Sequence, residues 1–184
     1  IVVGEYARKS SSHWNTDLGS VYDILYELPV HKRSLRGILE VIYREYGRLN
    51  NVEFTIWGDK TPKNTLHLDS IFPVFPDARY VFLIRDGRDV LSSYCRSKEK
   101  YMGKYSKPEH AVELWNGSIE GYDLLQKKCK PENLHVIRYE DLVSEPESTL
   151  RKFTEFMDME FAPEMLNFQN EVHRMGVADM EHHK

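Results

Sequence analysis

Cysteine is scarce: 184 residues contain two, Cys95 and Cys129, in unrelated segments. That excludes a disulfide framework and leaves no Cys-based zinc site; a reducing compartment is compatible with it. No apolar run approaches the roughly 20 residues of a membrane span, and no signal peptide is visible. An excess of basic charge is absent, with 25 Lys and Arg against 29 Asp and Glu. The net charge is −4, which gives no electrostatic reason to expect DNA or RNA as a partner. Clustered metal ligands are missing as well. Glu181-His182-His183 stands alone, and His13, His31, His67, His110, His135 and His173 are scattered, so no metal is expected. There is neither an internal repeat nor a low-complexity tract. A starting Met is absent too: the sequence opens on Ile1-Val2-Val3-Gly4 and ends on Glu181-His182-His183-Lys184. The expectation is a single domain over 1–184 with both ends of a longer chain missing.

Present instead are 41% hydrophobic residues, with eleven Tyr, eight Phe and three Trp, enough for one folded domain with its own core. Helices are expected from Leu18 to Leu28, ended by Pro29, and from Ser34 to Leu49, where Leu35, Ile38, Leu39, Ile42, Tyr43 and Tyr46 recur at helical spacing. Glu53 to Trp57 reads as a strand, followed by a turn at Gly58-Asp59-Lys60-Thr61-Pro62. A short helix carries Leu66 and Leu68 towards Ile71. Tyr80 to Ile84 is a five-residue apolar run, suited to a strand buried on both faces. A helix resumes with Val90, Leu91 and Tyr94, and a charged loop runs from Lys98 to Lys107. Pro108 opens a long helix bearing Ala111, Leu114, Trp115, Ile119, Tyr122 and Leu125 on one stripe. Leu134 to Ile137 is another short strand. Ser144 and Glu147 read as a capping box for a helix with Leu150, Phe153, Phe156 and Met157. Strands separated by helices of ten or more residues imply an α/β fold, a parallel sheet with helices on both faces.

In such a sheet the carboxyl ends of the strands lie along one edge, and ligands bind there. Lys60 follows the first clear strand, Arg85 the second and Tyr139 the third. Ser93 lies eight residues beyond Arg85, on the helix that follows. Two cations, a hydroxyl and a phenol converging on one crevice suit a phosphorylated nucleotide. The competing reading of Arg85 is a surface residue paired with Asp86 or Asp89. Trp115 reads mainly as core packing, and Arg88 as a surface partner of Asp86 or Asp89.

Four motifs occur in order: Gly58-Asp59-Lys60-Thr61-Pro62; Phe75-Pro76-Asp77-Ala78-Arg79-Tyr80; Arg85-Asp86-Gly87-Arg88-Asp89-Val90 with Ser93; and Arg138-Tyr139-Glu140-Asp141-Leu142 with Pro146. Together they resemble the sulfotransferase superfamily, which uses 3′-phosphoadenosine 5′-phosphosulfate (PAPS), and in particular the branch of tyrosylprotein sulfotransferases and bacterial relatives. The resemblance implies a three-layer P-loop NTPase-like sheet. It assigns Arg85 and Ser93 to the 3′-phosphate of PAPS, and Tyr139 to the neighbourhood of adenosine and that phosphate. Lys60 falls to the bridging oxygen of the leaving phosphate. No metal is implied. The other partner would be a hydroxyl-bearing acceptor: small molecule, glycan or peptide. The compartment would be cytoplasm for a bacterial protein and the Golgi lumen for a eukaryotic relative.

The family's phosphate-binding loop, Arg or Lys followed by Ser-Gly-Thr-Thr, has no counterpart here. Arg8-Lys9-Ser10-Ser11-Ser12 shares its composition but lacks the glycine that admits backbone N–H groups to a phosphate. The loop is expected upstream, which makes Glu5 the candidate general base. In several relatives that glutamate sits one position later, where this chain has Tyr6, and a solvated loop carboxylate is the plainer reading of Glu5. Two rivals stay open: a nucleotide-dependent kinase or phosphotransferase of the same architecture, and a non-catalytic nucleotide-binding relative.

Overall fold

The computed structural model describes residues 19–96 and 107–170. The chain divides into two compact units, residues 1–59 with 169–184, and residues 60–168.

In the first unit, α1 (Gly19–Glu27) and α2 (Leu35–Leu49) flank a single 3-10 turn at Val30–Lys32. Ser34 caps α2, its hydroxyl accepting from the Gly37 N–H at 3.1 Å, as the sequence pattern implies. Arg33 donates back to the carbonyls of Leu28 and Tyr26, satisfying acceptors that the end of α1 leaves open. Glu45 is 3% exposed. It accepts from Ser20 Oγ and takes both ends of the Arg48 guanidinium at 2.7 Å, so the two helices share a buried, fully partnered carboxylate.

The strand expected over Glu53–Trp57 does not form. A strand needs a neighbour to complete its backbone ladder, and these side chains engage α2 instead. Phe54 lies against Gly47, and Trp57 stacks on Tyr43 with centroids 4.2 Å apart. Tyr43 Oη also donates to Asp59 at 3.2 Å. Burial and the Asp59 charge raise this phenol to about 12.

The second unit contains a 3-10 turn (Asn64–His67), α3 (Leu68–Ile71), β1 (Tyr80–Ile84), α4 (Gly87–Arg96) and α5 (Pro108–Lys128). β2 (Leu134–Arg138), α6 (Tyr139–Ser144) and α7 (Pro146–Phe156) follow. β1 and β2 pair in parallel, in register from Tyr80 opposite Leu134 to Ile84 opposite Arg138. The intervening α4 and α5 supply the long crossover that parallel pairing requires. On one face of the sheet Phe82 joins Leu68, Leu125 and Cys129 in the core, with Tyr80, Ile84, Tyr122 and Leu134 packed around them. Gly121 lets α5 approach the 3-10 turn so closely that a Cβ there would sit 2.1 Å from the Thr65 carbonyl oxygen.

Two local expectations are corrected. β1 is buried on one face only: Val81 and Leu83 are 41% and 55% exposed. On that side α7 meets β2, where His135 stacks on Phe156. The capping box at Ser144 and Glu147 is absent because α7 starts one residue later than that pattern needs. Glu145 is its N-cap residue, without a side-chain bond, and Pro146 is its first residue. Glu147 pairs instead with Arg151, one turn on, at 2.7 Å.

Candidate functional site

Because Ile84 and Arg138 are register partners, the next residue of each strand emerges beside its neighbour. These residues are Arg85 and Tyr139. The Arg85 guanidinium lies over the Tyr139 ring, Cζ 4.4 Å from the centroid, a cation–π contact of about 0.5–2 kcal/mol. Stacking on a ring occupies the face of the guanidinium and leaves its N–H edge for a planar or tetrahedral anion.

The local carboxylates do not neutralise it. Asp86 takes Arg88, with Nη2 at 2.7 Å and Nε at 3.0 Å, and also accepts from the Arg88 N–H at 2.8 Å. Arg88, by side chain first and backbone second, holds the Asp86 carboxyl well below the usual range. Asp86 is thus the cap of α4, and the surface-pair reading applies to Arg88. Glu140 Oε1 accepts from the Asp86 N–H at 2.9 Å, which lowers its own pKa, and its second oxygen lies 3.9 Å from Arg138 Nε. Among the described residues Arg85 has no ion pair, and its Nε is buried with no hydrogen-bond partner. A donor left in that state costs about 1–3 kcal/mol, so this nitrogen is the place where a bound oxyanion would gain most.

A cavity of about 680 Å³ opens at the same strand ends, between α4 and α5. Arg85, Asp86 and Glu140 line its polar side; Leu91, Val112 and Trp115 line its apolar side. Trp115, expected chiefly as core packing, turns its indole N–H to the Arg85 carbonyl at 3.2 Å. In the sequence Trp115 reads mainly as core packing, and Glu140 only as one member of the Arg138-Tyr139-Glu140-Asp141-Leu142 motif at a strand end. The available signal was Gly87, whose missing side chain makes room for a large ring.

The remaining candidates are placed less tightly. Ser93 is exposed on α4, Lys60 is exposed just ahead of the Asn64–His67 turn, and among the described residues no hydrogen bond or ion pair ties either to Arg85. Since 53–57 forms no strand, Lys60 does not leave a strand end as expected. Glu5, the Arg8–Ser12 segment, most of the Lys98–Lys107 loop and the tail from Glu171 lie outside the described residues.

A family model described as the Sulfotransferase family matches residues 7–163. The protein-tyrosine sulfotransferase of Drosophila melanogaster is 27% identical over 115 residues, 60% of this chain and 22% of that protein. Protein-tyrosine sulfotransferase A of Caenorhabditis elegans is 28% identical over 113 residues, 59% of this chain and 28% of that protein. The chain therefore spans between a fifth and a third of the length of these two curated relatives. Among solved structures it is similar to the sulfotransferase domain from the curacin biosynthetic pathway, with a TM-score of 0.58 and 25% identity. That match covers 84% of this chain and 59% of the other. With a family match over residues 7–163, most of its length, this chain belongs to the Sulfotransferase family.

Proposed function

We propose that the chain is the donor-binding part of a PAPS-dependent sulfotransferase with a three-layer P-loop NTPase-like architecture. One observation carries the reading: Arg85 leaves the end of a parallel strand, stacks on Tyr139 just beyond the end of the adjacent strand, and among the described residues keeps a buried N–H without a partner while Asp86 and Glu140 are engaged elsewhere. A guanidinium so placed is suited to the 3′-phosphate of the nucleotide, with Ser93 as the second ligand on α4.

In the reaction the bond from sulfur to the bridging phosphate oxygen breaks as the acceptor oxygen bonds to sulfur. The electron pair goes to the departing adenosine 3′,5′-bisphosphate, and the acceptor's proton goes to a base. Lys60 would stabilise the charge growing on the bridging oxygen, and Glu5 would take the proton. Most of the barrier reduction in such a transfer comes from positioning and fixed charge. The relatives' names make a tyrosyl hydroxyl in a protein or peptide the first acceptor class to examine.

The test is transfer of labelled sulfate from PAPS to tyrosyl peptides, with glycans and small phenols alongside, by the full protein and by Lys60→Ala. Transfer by the wild type is expected. Lys60→Ala should lower kcat by about two orders of magnitude, as for other single electrostatic contacts to a transition state, and change donor KM less. A variant as fast as the wild type would remove Lys60 from the mechanism.

A further inference from the structure

A peptide unit has one acceptor and one donor, and in the turn after β1 both belong to side chains from elsewhere in the chain. The Arg85 carbonyl accepts from Trp115 Nε1 at 3.2 Å; the Asp86 N–H of the same peptide donates to Glu140 Oε1 at 2.9 Å. Trp115 comes from α5, and Glu140 from the first turn of α6, just after β2. A third contact adds to this. A Cβ on Gly87 would lie 3.0–3.2 Å from three atoms of the Trp115 indole, so a side chain there would oblige the ring that bonds the Arg85 carbonyl to give by a few tenths of an ångström. Immediately beyond, Val90 N–H closes the first turn of α4 on the Asp86 carbonyl at 3.0 Å.

We infer that Trp115 and Glu140 are positioning residues for the donor nucleotide: gripping the Arg85–Asp86 peptide at its two edges, they fix the direction in which Arg85 presents its guanidinium. The inference rests on the reading of Arg85 as the 3′-phosphate ligand. Rotation of a rigid peptide plane about its flanking bonds breaks one hydrogen bond where one edge is held and two where both are, so the second bond adds to the restraint of the first. Arg85 then stays over Tyr139 before any ligand arrives, and little ordering is left to be done on binding. Glu140 suits this role because its charge is engaged by the Asp86 N–H, leaving Arg85 uncommitted.

The experiment is calorimetric titration of adenosine 3′,5′-bisphosphate into the full protein, at a temperature where circular dichroism shows every variant folded. Trp115→Phe removes the indole N–H and keeps a ring against Gly87. Glu140→Ala removes the acceptor, and Glu140→Gln restores an acceptor oxygen without charge. Trp115→Phe and Glu140→Ala should each raise Kd by roughly 3- to 10-fold, the effect of one hydrogen bond. Glu140→Gln should stay within about twofold of the wild type. In an Arg85→Ala background neither substitution should have a further effect. Unchanged Kd in both single variants, or effects that persist without Arg85, overturn the positioning role. If Arg85→Ala alone leaves Kd unchanged, the phosphate-ligand reading fails instead, so the two failures are distinguishable. Should Glu140→Ala fail to fold, Trp115→Phe decides the matter: it deletes the N–H together with three ring atoms, and its repetition in the Arg85→Ala background separates an effect that acts through Arg85 from one of packing.

Discussion

Leu125 is 2% exposed and belongs to the core that joins α5 to β1 through Phe82 and to α3 through Leu68. Leu125→Ala removes three carbons, worth about 2.4 kcal/mol at about 0.8 kcal/mol for each. The rest of the cost depends on whether the neighbours can close the gap. They are poorly able to, because one turn earlier Gly121 already brings α5 against the Thr65 carbonyl, and the helix cannot settle further inward there. The cavity term is therefore retained, and the total falls in the upper part of the range for such substitutions, about 3–5 kcal/mol. For a chain of this size each kcal/mol lowers Tm by about 2–4 °C, which gives about 6–20 °C. Thermal and urea unfolding of Leu125→Ala and Leu125→Met measure it, the latter expected to lose less than about 1.5 kcal/mol. A loss below about 1 kcal/mol for the alanine variant would refute the view that Gly121 prevents collapse.

On the same helix, Gly121→Ala should destabilise by about 1–3 kcal/mol or more, since the new methyl meets backbone and not a movable side chain; a variant that melts with the wild type would contradict the close approach. Glu45 is held at about 2 instead of its ordinary 4.5, by Arg48 first and Ser20 second. A carboxyl lowered by folding stabilises the native state at pH values above 4.5 and loses that contribution as pH falls towards 2. The stability difference between the wild type and Glu45→Gln should therefore be full at pH 6 and vanish near pH 2, and a difference independent of pH would count against the buried pair.

Much of the fold was legible because local signals and tertiary structure agreed. Ser34 caps its helix, Pro108 opens another, and both the apolar run Tyr80–Ile84 and the short segment Leu134–Ile137 became paired strands. The pairing of Arg85 with Tyr139 was legible for a geometric reason, since each follows the last residue of a strand and parallel register does the rest. Glu53–Trp57 misled because strand propensity is realised only beside another strand, and Tyr43 and Gly47 offered these side chains a helix surface. Ser144 and Glu147 have capping-box spacing, but Pro146 at the first helical position fixes the start of α7 after Ser144. Which cation Asp86 would choose, Arg85 or Arg88, was undecidable from spacing; the start of α4 settles it by using Asp86 as a cap. The roles of Trp115 and Glu140 depend on a peptide reached from two distant segments, and no periodicity encodes that.

Arg85 as the ligand of the nucleotide's 3′-phosphate is the central claim, and the affinity of adenosine 3′,5′-bisphosphate for the wild type and for Arg85→Ala tests it most directly. Loss of a charge-assisted hydrogen bond of about 1.5–3 kcal/mol predicts a Kd weaker by roughly ten- to 150-fold. A Kd within about twofold of the wild type, with the variant folded, would contradict it.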